Sequence, residues 1–212
     1  MKKALFFLFA MMVLPMTMAA GELKRGYVNM ETLFNEYYKT INENITFENR
    51  QRTVTEGFQL LRSEMENTMK EFKKAESEAQ NELLSAEARN AAGERARLLA
   101  ERLQQKQTEI YKYREESLRD IQNRQQQVTD ALVGELLEQV RKYAADKSYD
   151  EIVEVSGKTM SRVQVLLVYP KDKDITAEMV KIINAGHEKE KQEAQARLAA
   201  IRARAQQQPP AK

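Results

Sequence analysis

The sequence predicts a mainly α-helical protein with a small β body. A long antiparallel coiled-coil hairpin projects, tentacle-like, from a β-sheet or barrel core assembled from several subunits. Three observations predict this. Two long stretches, 54–86 and 92–143, repeat apolar residues in steps of four and three, the heptad pattern of helices that share one stripe. Alternating apolar residues, the signature of strands, occur only on either side of those stretches. The chain has 7 Gly, 4 Pro and no Trp, and 31% of it is charged, which suits long helices better than a sheet-rich domain. The division expected is a signal peptide at 1–20, a body made from 21–40 and 148–185, an arm at 41–147 and a flexible charged, Gln-rich tail at 186–212.

The opening Met1-Lys2-Lys3 precedes an apolar run from Ala4 to Leu14, which Pro15 closes; Thr17, Ala19, Ala20 and Gly21 follow. A positive start, a short apolar core and a small-residue exit describe a secretory signal peptide, with cleavage near Ala19 or Ala20. An uncleaved anchor is the alternative, but a bilayer span needs roughly 20 apolar residues. The chain has no cysteine, which excludes a lipoprotein anchor, disulfides and thiolate metal sites.

Lys24 to Met30 reads as a short strand through Tyr27 and Val28, with Gly26 at a bend. Leu33, Phe34, Tyr37 and Tyr38 then form a helical stripe, which Asn42-Glu43-Asn44 is expected to interrupt. Val54, Phe58, Leu61, Met65, Thr68, Phe72, Ala75 and Ala79 make the first seam. A reversal is expected between Leu83 and Gly93, with Ser85 as a helix cap. The second seam runs through Ala92, Ala96, Leu99, Leu103, Ile110 and Tyr113, with Lys106 in a core slot, and resumes at Ile121, Val128, Leu132, Val140 and Tyr143. Beyond Lys147 the period becomes two. Tyr149–Val155 and Val163–Tyr169 are strand candidates, Ser156-Gly157-Lys158 a turn, and Pro170 a stop. Asp174 or Thr176 caps a last helix carrying Met179, Val180, Ile182 and Ile183. From His187 onward a frayed helix is expected to pass into disorder.

The strands are short, and more than a hundred residues of helix separate the first from the others. Such a sheet has exposed edges and little core of its own. Strands from both ends meet if the helices fold back, and identical small sheets from several copies can then pair. This sets no subunit number.

The order of these segments carries a resemblance. Gly26-Tyr27-Val28-Asn29-Met30, a long helical hairpin, Tyr149-Asp150-Glu151-Ile152-Val153, and Asp174-Ile175-Thr176 leading into Val180-Lys181-Ile182-Ile183-Asn184 together resemble the Skp (OmpH) family over roughly residues 22–185. The resemblance implies a homotrimer with three helical tentacles around a central cavity. It implies an ATP-independent periplasmic holdase, without cofactor, that binds unfolded outer-membrane proteins and prevents their aggregation. The chain departs from the best-known members, which are strongly basic. It has 34 Lys and Arg against 32 Asp and Glu, and loss of Lys2 and Lys3 leaves 32 against 32. Residues 41–93 carry 7 basic and 10 acidic residues, and 94–145 carry 10 and 9. That balance weakens the expectation of a lipopolysaccharide site, gives little support to membrane-surface contact, and speaks against a nucleic-acid partner. The second departure is the added tail after Asn184.

Binding without bond chemistry is expected. Met65, Met69 and Phe72, with Leu83 and Leu84 near the tip, are client-contact candidates, since methionine suits promiscuous contacts; the alternative for Met65 and Phe72 is a plain place in the seam. Tyr27, Val28, Ile152, Val153, Val163, Val165 and Leu167 are the oligomerisation candidates. Arg95, Arg97, Arg102 and Lys106 can meet anionic surfaces, but such a run is more often a solvated face paired with Glu94, Glu101 and Glu109. An enzyme reading fails on inventory: His187 is the only histidine, and no phosphate loop is present. A structural coiled-coil spacer or tether of the envelope is the competing function.

Overall fold

The computed structural model describes residues 23–207. The segment 1–20, expected to be a signal peptide, and the residues from 208 lie outside the described residues.

Strand β1, Arg25–Val28, pairs in parallel with β2, Glu151–Glu154, so that Arg25 lies opposite Glu151 and Val28 opposite Glu154. Parallel strands need a long crossover, and here the crossover is the entire helical arm. On the other edge of β1, Tyr27 bridges Asp174 and its carbonyl accepts from the Ile175 N–H at 2.9 Å. The start of the chain is thus clamped between two segments of its end.

Helix α1, Met30–Glu36, begins at Asn29, whose side chain accepts from the Thr32 N–H at 2.8 Å. Helix α2 follows as Tyr38–Gln80 without a break at Asn42-Glu43-Asn44. The interruption expected there falls at Tyr37 instead, whose backbone is extended (φ −72°, ψ 127°). The reason is the buried Asn184. Its Oδ1 accepts from the Tyr38 N–H at 2.9 Å, and its Nδ2 donates to the carbonyls of Glu36 at 3.0 Å and Val180 at 2.8 Å. A side chain from the far end of the chain thus satisfies backbone groups that the kink releases.

The chain reverses over residues 81–85. The Asn81 carbonyl accepts from Leu84 N–H at 3.1 Å, and Ser85 caps α3, Ala86–Asp146, by accepting from Ala88 N–H at 3.2 Å. Glu78 meets Arg95, Glu64 meets Lys106 and Arg50 meets Asp120 across the arm, which makes the two helices antiparallel. At 1.5 Å per residue α2 is about 65 Å long and α3 about 90 Å. The root of α3 carries Leu132, Leu136, Val140 and Tyr143 into the body. They pack there with Val28, Leu33, Tyr37, Ile175, Met179 and Ile183.

Helix α4, Thr176–Ile183, has Ile175 at its N-cap, so neither expected cap residue holds that position: Asp174 Oδ1, one residue earlier, accepts from Thr176 N–H at 2.9 Å, and Thr176 Oγ1, inside the helix, accepts from Asn29 N–H at 2.9 Å. Two further expectations are corrected. Val163–Tyr169 is not a ladder strand. It begins as the return of a small hairpin, with Lys158 bridging Gln164 and Arg162 in the left-handed region (φ 62°). Beyond Val165 it meets no neighbouring strand among the described residues, and an alternating pattern becomes a strand only where a partner supplies the ladder. The stretch from Glu188 is also not a frayed tail: Glu188–Gln207 is a helix, α5, whose Ala194 and Leu198 are buried against α2. Among the described residues no helix is long and apolar enough to cross a membrane.

Candidate functional site

The arm is a two-helix structure, so each helix covers only one side of the other and the seam stays open along both flanks. In the outer arm only small seam residues are fully buried: Thr68 and Ala75 on α2, Ala92 and Ala96 on α3. The large ones, Phe58, Leu61, Met65 and Phe72, are half-buried. Met65 and Phe72 are therefore seam residues that also show surface. Met69 is exposed at the edge of the seam. With Phe58, Met65, Leu103, Ile110 and Tyr111 it lines a cleft of about 650 Å³ between the helices. Lys106 does occupy a seam slot. Its side chain is only 19% exposed and its Nζ reaches Glu64 Oε2 at 2.6 Å.

The two tip leucines part company. Leu83 is 94% exposed, whereas Leu84 is half-buried. The same division recurs down the arm. Leu60, Leu98 and Leu137 are exposed, while their chain neighbours Leu61 and Leu99 are half-buried and Leu136 is fully buried. Consecutive helical residues lie about 100° apart, so one of each pair faces the partner helix and the other faces out. Tyr111 and Leu118 add further exposed apolar side chains. The leucine pairs were the available sequence signal for this outer set, which a search for heptad positions alone passes over.

The basic residues proposed for anionic surfaces are mostly occupied. Arg95 pairs with Glu78 at 2.7 Å, and Arg97 with Glu94 at 2.7 Å and Glu101 at 2.5 Å. Arg102 lines a second cleft near the tip, where Glu71, Glu78 and Glu101 also lie. The Arg97 guanidinium, by hydrogen bonding, holds the Glu94 carboxyl below its ordinary range. The resulting face is charge-balanced.

At the arm root, Tyr37 Oη donates to Glu135 at 2.9 Å and Lys39 Nζ approaches the same oxygen at 2.7 Å. The Lys39 hydrogen bond holds Glu135 below the carboxylate range and, in return, raises Lys39. Burial, then Glu135, raise Tyr37. This network fastens the arm to the body.

In the body, the oligomerisation candidates divide. Tyr27 and Val28 are buried within the subunit, and Ile152 and Val153 are half-buried. Val163, Val165 and Leu167 are exposed, at 51%, 70% and 72%, and Val168 and Met160 beside them are more so. Among the described residues no three acidic or histidine side chains gather to hold a metal.

A small parallel sheet that joins distant parts of the chain, with an open two-helix arm between its strands, defines an arm-on-body protein. The family model OmpH, described as Outer membrane protein (OmpH-like), matches residues 24–183, and the chain belongs to that family. The match runs from β1 through α4 and ends before α5. The family is one of periplasmic, non-enzymatic chaperones of outer-membrane proteins. No curated protein matches the chain.

Proposed function

We propose that this chain is an ATP-independent periplasmic holdase that binds unfolded outer-membrane proteins and keeps them from aggregating. The observation that carries this reading is the open cleft between the arm helices, lined by Phe58, Met65, Met69, Leu103 and Ile110, with exposed apolar side chains such as Leu60, Leu98 and Leu83 elsewhere on the arm. An open apolar cleft rimmed by polar residues suits contact with apolar segments of a client. A spacer would gain by sealing its seam, whereas in the outer arm only small residues are sealed. Met65 and Met69 at the cleft add adaptable contacts for varied clients.

The working form is a homotrimer. Val163, Val165, Leu167 and Val168 present an extended apolar edge that a second copy can complete, which would turn the unpaired segment into a ladder strand. Domain roles follow: residues 21–40 and 148–185 assemble, and 41–147 hold clients. The balanced charge of the arm makes apolar contact the main source of affinity.

The test is dilution of an unfolded outer-membrane barrel protein from urea, with and without this protein, followed by light scattering without nucleotide. Suppression near one oligomer per client, persisting at moderate salt, is expected. Unchanged scattering at several-fold excess removes the holdase reading and leaves the envelope spacer.

A further inference from the structure

Ile41 and Ile45, one turn apart on α2, are buried, yet they do not belong to the core of the body. They form a separate cluster that α5 alone closes, through Ala194 and Leu198 with Ile201 at its edge. Without α5 this pair would stand in solvent at the arm root. The family match ends at residue 183, so the cover lies outside the part of the chain that defines the family.

The cover is thinly attached. Only Ala194 and Leu198 of its twenty residues are buried. The rest of its hold is polar: Lys191 on Glu36 at 2.5 Å, Asn42 on Glu190 at 2.8 Å and Arg202 on Glu48 at 3.1 Å. At its start the His187 ring stacks on Tyr38 with centroids 4.0 Å apart. The Arg202–Glu48 pair, with the guanidinium more than half exposed, contributes little and weakens with salt, whereas the Lys191 side chain, only 14% exposed, anchors the start of the helix more firmly. The join to α4 is the short turn Ala185-Gly186-His187, with Gly186 in the left-handed region (φ 79°) that glycine adopts without strain. These pairings order α5 parallel to α2.

We propose that α5 is a displaceable cover over an apolar docking surface at the arm root, and that the surface's other occupant is an apolar segment of an unfolded polypeptide. This rests on the holdase reading. The fit is geometric and electrostatic. Ile41 and Ile45 are about 6 Å apart along the helix, close to the roughly 6.7 Å between same-face residues of an extended chain. A barrel strand alternates apolar residues at that spacing. Glu36 and Glu48 flank the pair, as α5's own Lys191 and Arg202 show by seating there, so a segment with a cation at either end fits best. Beside it opens a cleft of about 450 Å³ that includes Tyr38, Asn42, Leu132 and Glu190. α5 is thus an internal competitor, and clients gain the root surface only by lifting it.

The test uses the full chain in three forms and an unfolded outer-membrane barrel polypeptide as probe. Leu198→Glu/Arg202→Glu opens the cover by burying one carboxylate and setting another against Glu48. Glu48→Cys/Arg202→Cys, joined by a short bis-maleimide, pins it shut; the chain has no other cysteine. The expected result is an apparent Kd at least threefold tighter for the opened form, and at least threefold weaker for the pinned form than for its unlinked parent. Adding Ile41→Ser/Ile45→Ser to the opened form is expected to abolish its gain. If all forms bind within twofold of the parent, or the gain survives loss of both isoleucines, α5 is a fixed brace and the proposal is overturned. If neither the parent nor the opened form binds the probe, the holdase reading itself fails and the proposal falls with it.

Discussion

Tyr113 of α3 lies across Gly57 of α2 so closely that a β-carbon on Gly57 would stand 2.8 Å from Tyr113 Cζ, and its hydroxyl reaches toward the Val54 carbonyl at 3.5 Å. A glycine inside a helix costs about 1 kcal/mol against alanine. Here it makes room for a ring that bridges the arm. Gly57→Ala is therefore expected to change stability little, because the helix gain is offset by expulsion of the ring. In a Tyr113→Leu background the same substitution is expected to stabilise by about 1 kcal/mol. Thermal unfolding of the four proteins, followed by far-UV circular dichroism, measures the coupling. Additive effects would mean that the ring places no constraint on Gly57.

Acid is expected to loosen the body. Burial pushes the Glu154 carboxyl upward, but hydrogen bonds from Ser156, Gly157 and Met30 outweigh it and hold the group below its ordinary 4.5. Asp174 behaves alike: burial is outweighed by hydrogen bonds from Thr176 and Tyr169, and it sits below 3.8. A carboxyl lowered on folding contributes stability that is fully present above its unfolded pKa and disappears as pH falls through the folded value. Both groups join segments of the body, since Glu154 ties β2 to the start of α1 and Asp174 lies beside β1. Near-UV circular dichroism of the Tyr27–Tyr169 stack, whose rings are 5.0 Å apart, is expected to fade below about pH 4.5. Glu154→Gln is expected to shrink that acid dependence and to cost less than about 1 kcal/mol at neutral pH, given the solvent around the group. An unchanged acid profile in Glu154→Gln would show that this carboxylate does not carry the effect.

Much of this architecture was legible because helices announce themselves locally. Heptad spacing from Val54 to Ala79 and the Ser85 cap depend only on neighbours in sequence. The misplaced break shows the limit. Asn42-Glu43-Asn44 looks like an interruption, yet Ile41 and Ile45 on either side pack against α5, and the real kink at Tyr37 is held by Asn184, about 150 residues away. No local pattern can reveal a capping partner at that distance. The packed tail was missed for a related reason. α5 has only a narrow apolar strip, and its burial needs a partner strip on α2 that Ile41 and Ile45 supply. On the arm, the places of Met65 and Phe72 in the seam were legible from their spacing, while the exposure of Leu60, Leu98 and Tyr111 was not, because they lie off the seam.

The split leucine pairs allow stability and client holding to be separated. Leu83→Asp and Leu60→Asp change exposed side chains that contribute little to packing, so stability is expected to stay within about 0.5 kcal/mol. The amount of protein needed to suppress client scattering is expected to rise at least twofold for the combined variant. Leu136→Ala, by contrast, removes a fully buried side chain and is expected to cost about 2–5 kcal/mol. Urea unfolding beside a scattering titration gives both readings. Undiminished suppression by the Leu60/Leu83 variant would move client contact off the outer face and into the cleft lined by Met65 and Met69.

The exposed segment after the small hairpin carries the assembly prediction. Val165 and Leu167 are two residues apart, so in a strand they fall on the same face. Both are largely exposed in the single chain and do not belong to the Leu136–Met179 core that holds the body together. Val165→Glu/Leu167→Glu is therefore expected to leave the fold of the subunit intact while dispersing the oligomer, because two carboxylates would have to enter an apolar interface unpaired. Sedimentation velocity is expected to show a trimer for the parent and a smaller species for the variant, with matching far-UV spectra. Client suppression is expected to fall with the oligomer, since separate arms no longer surround one client. A variant that stays trimeric would place the interface elsewhere and leave the apolar segment available to clients.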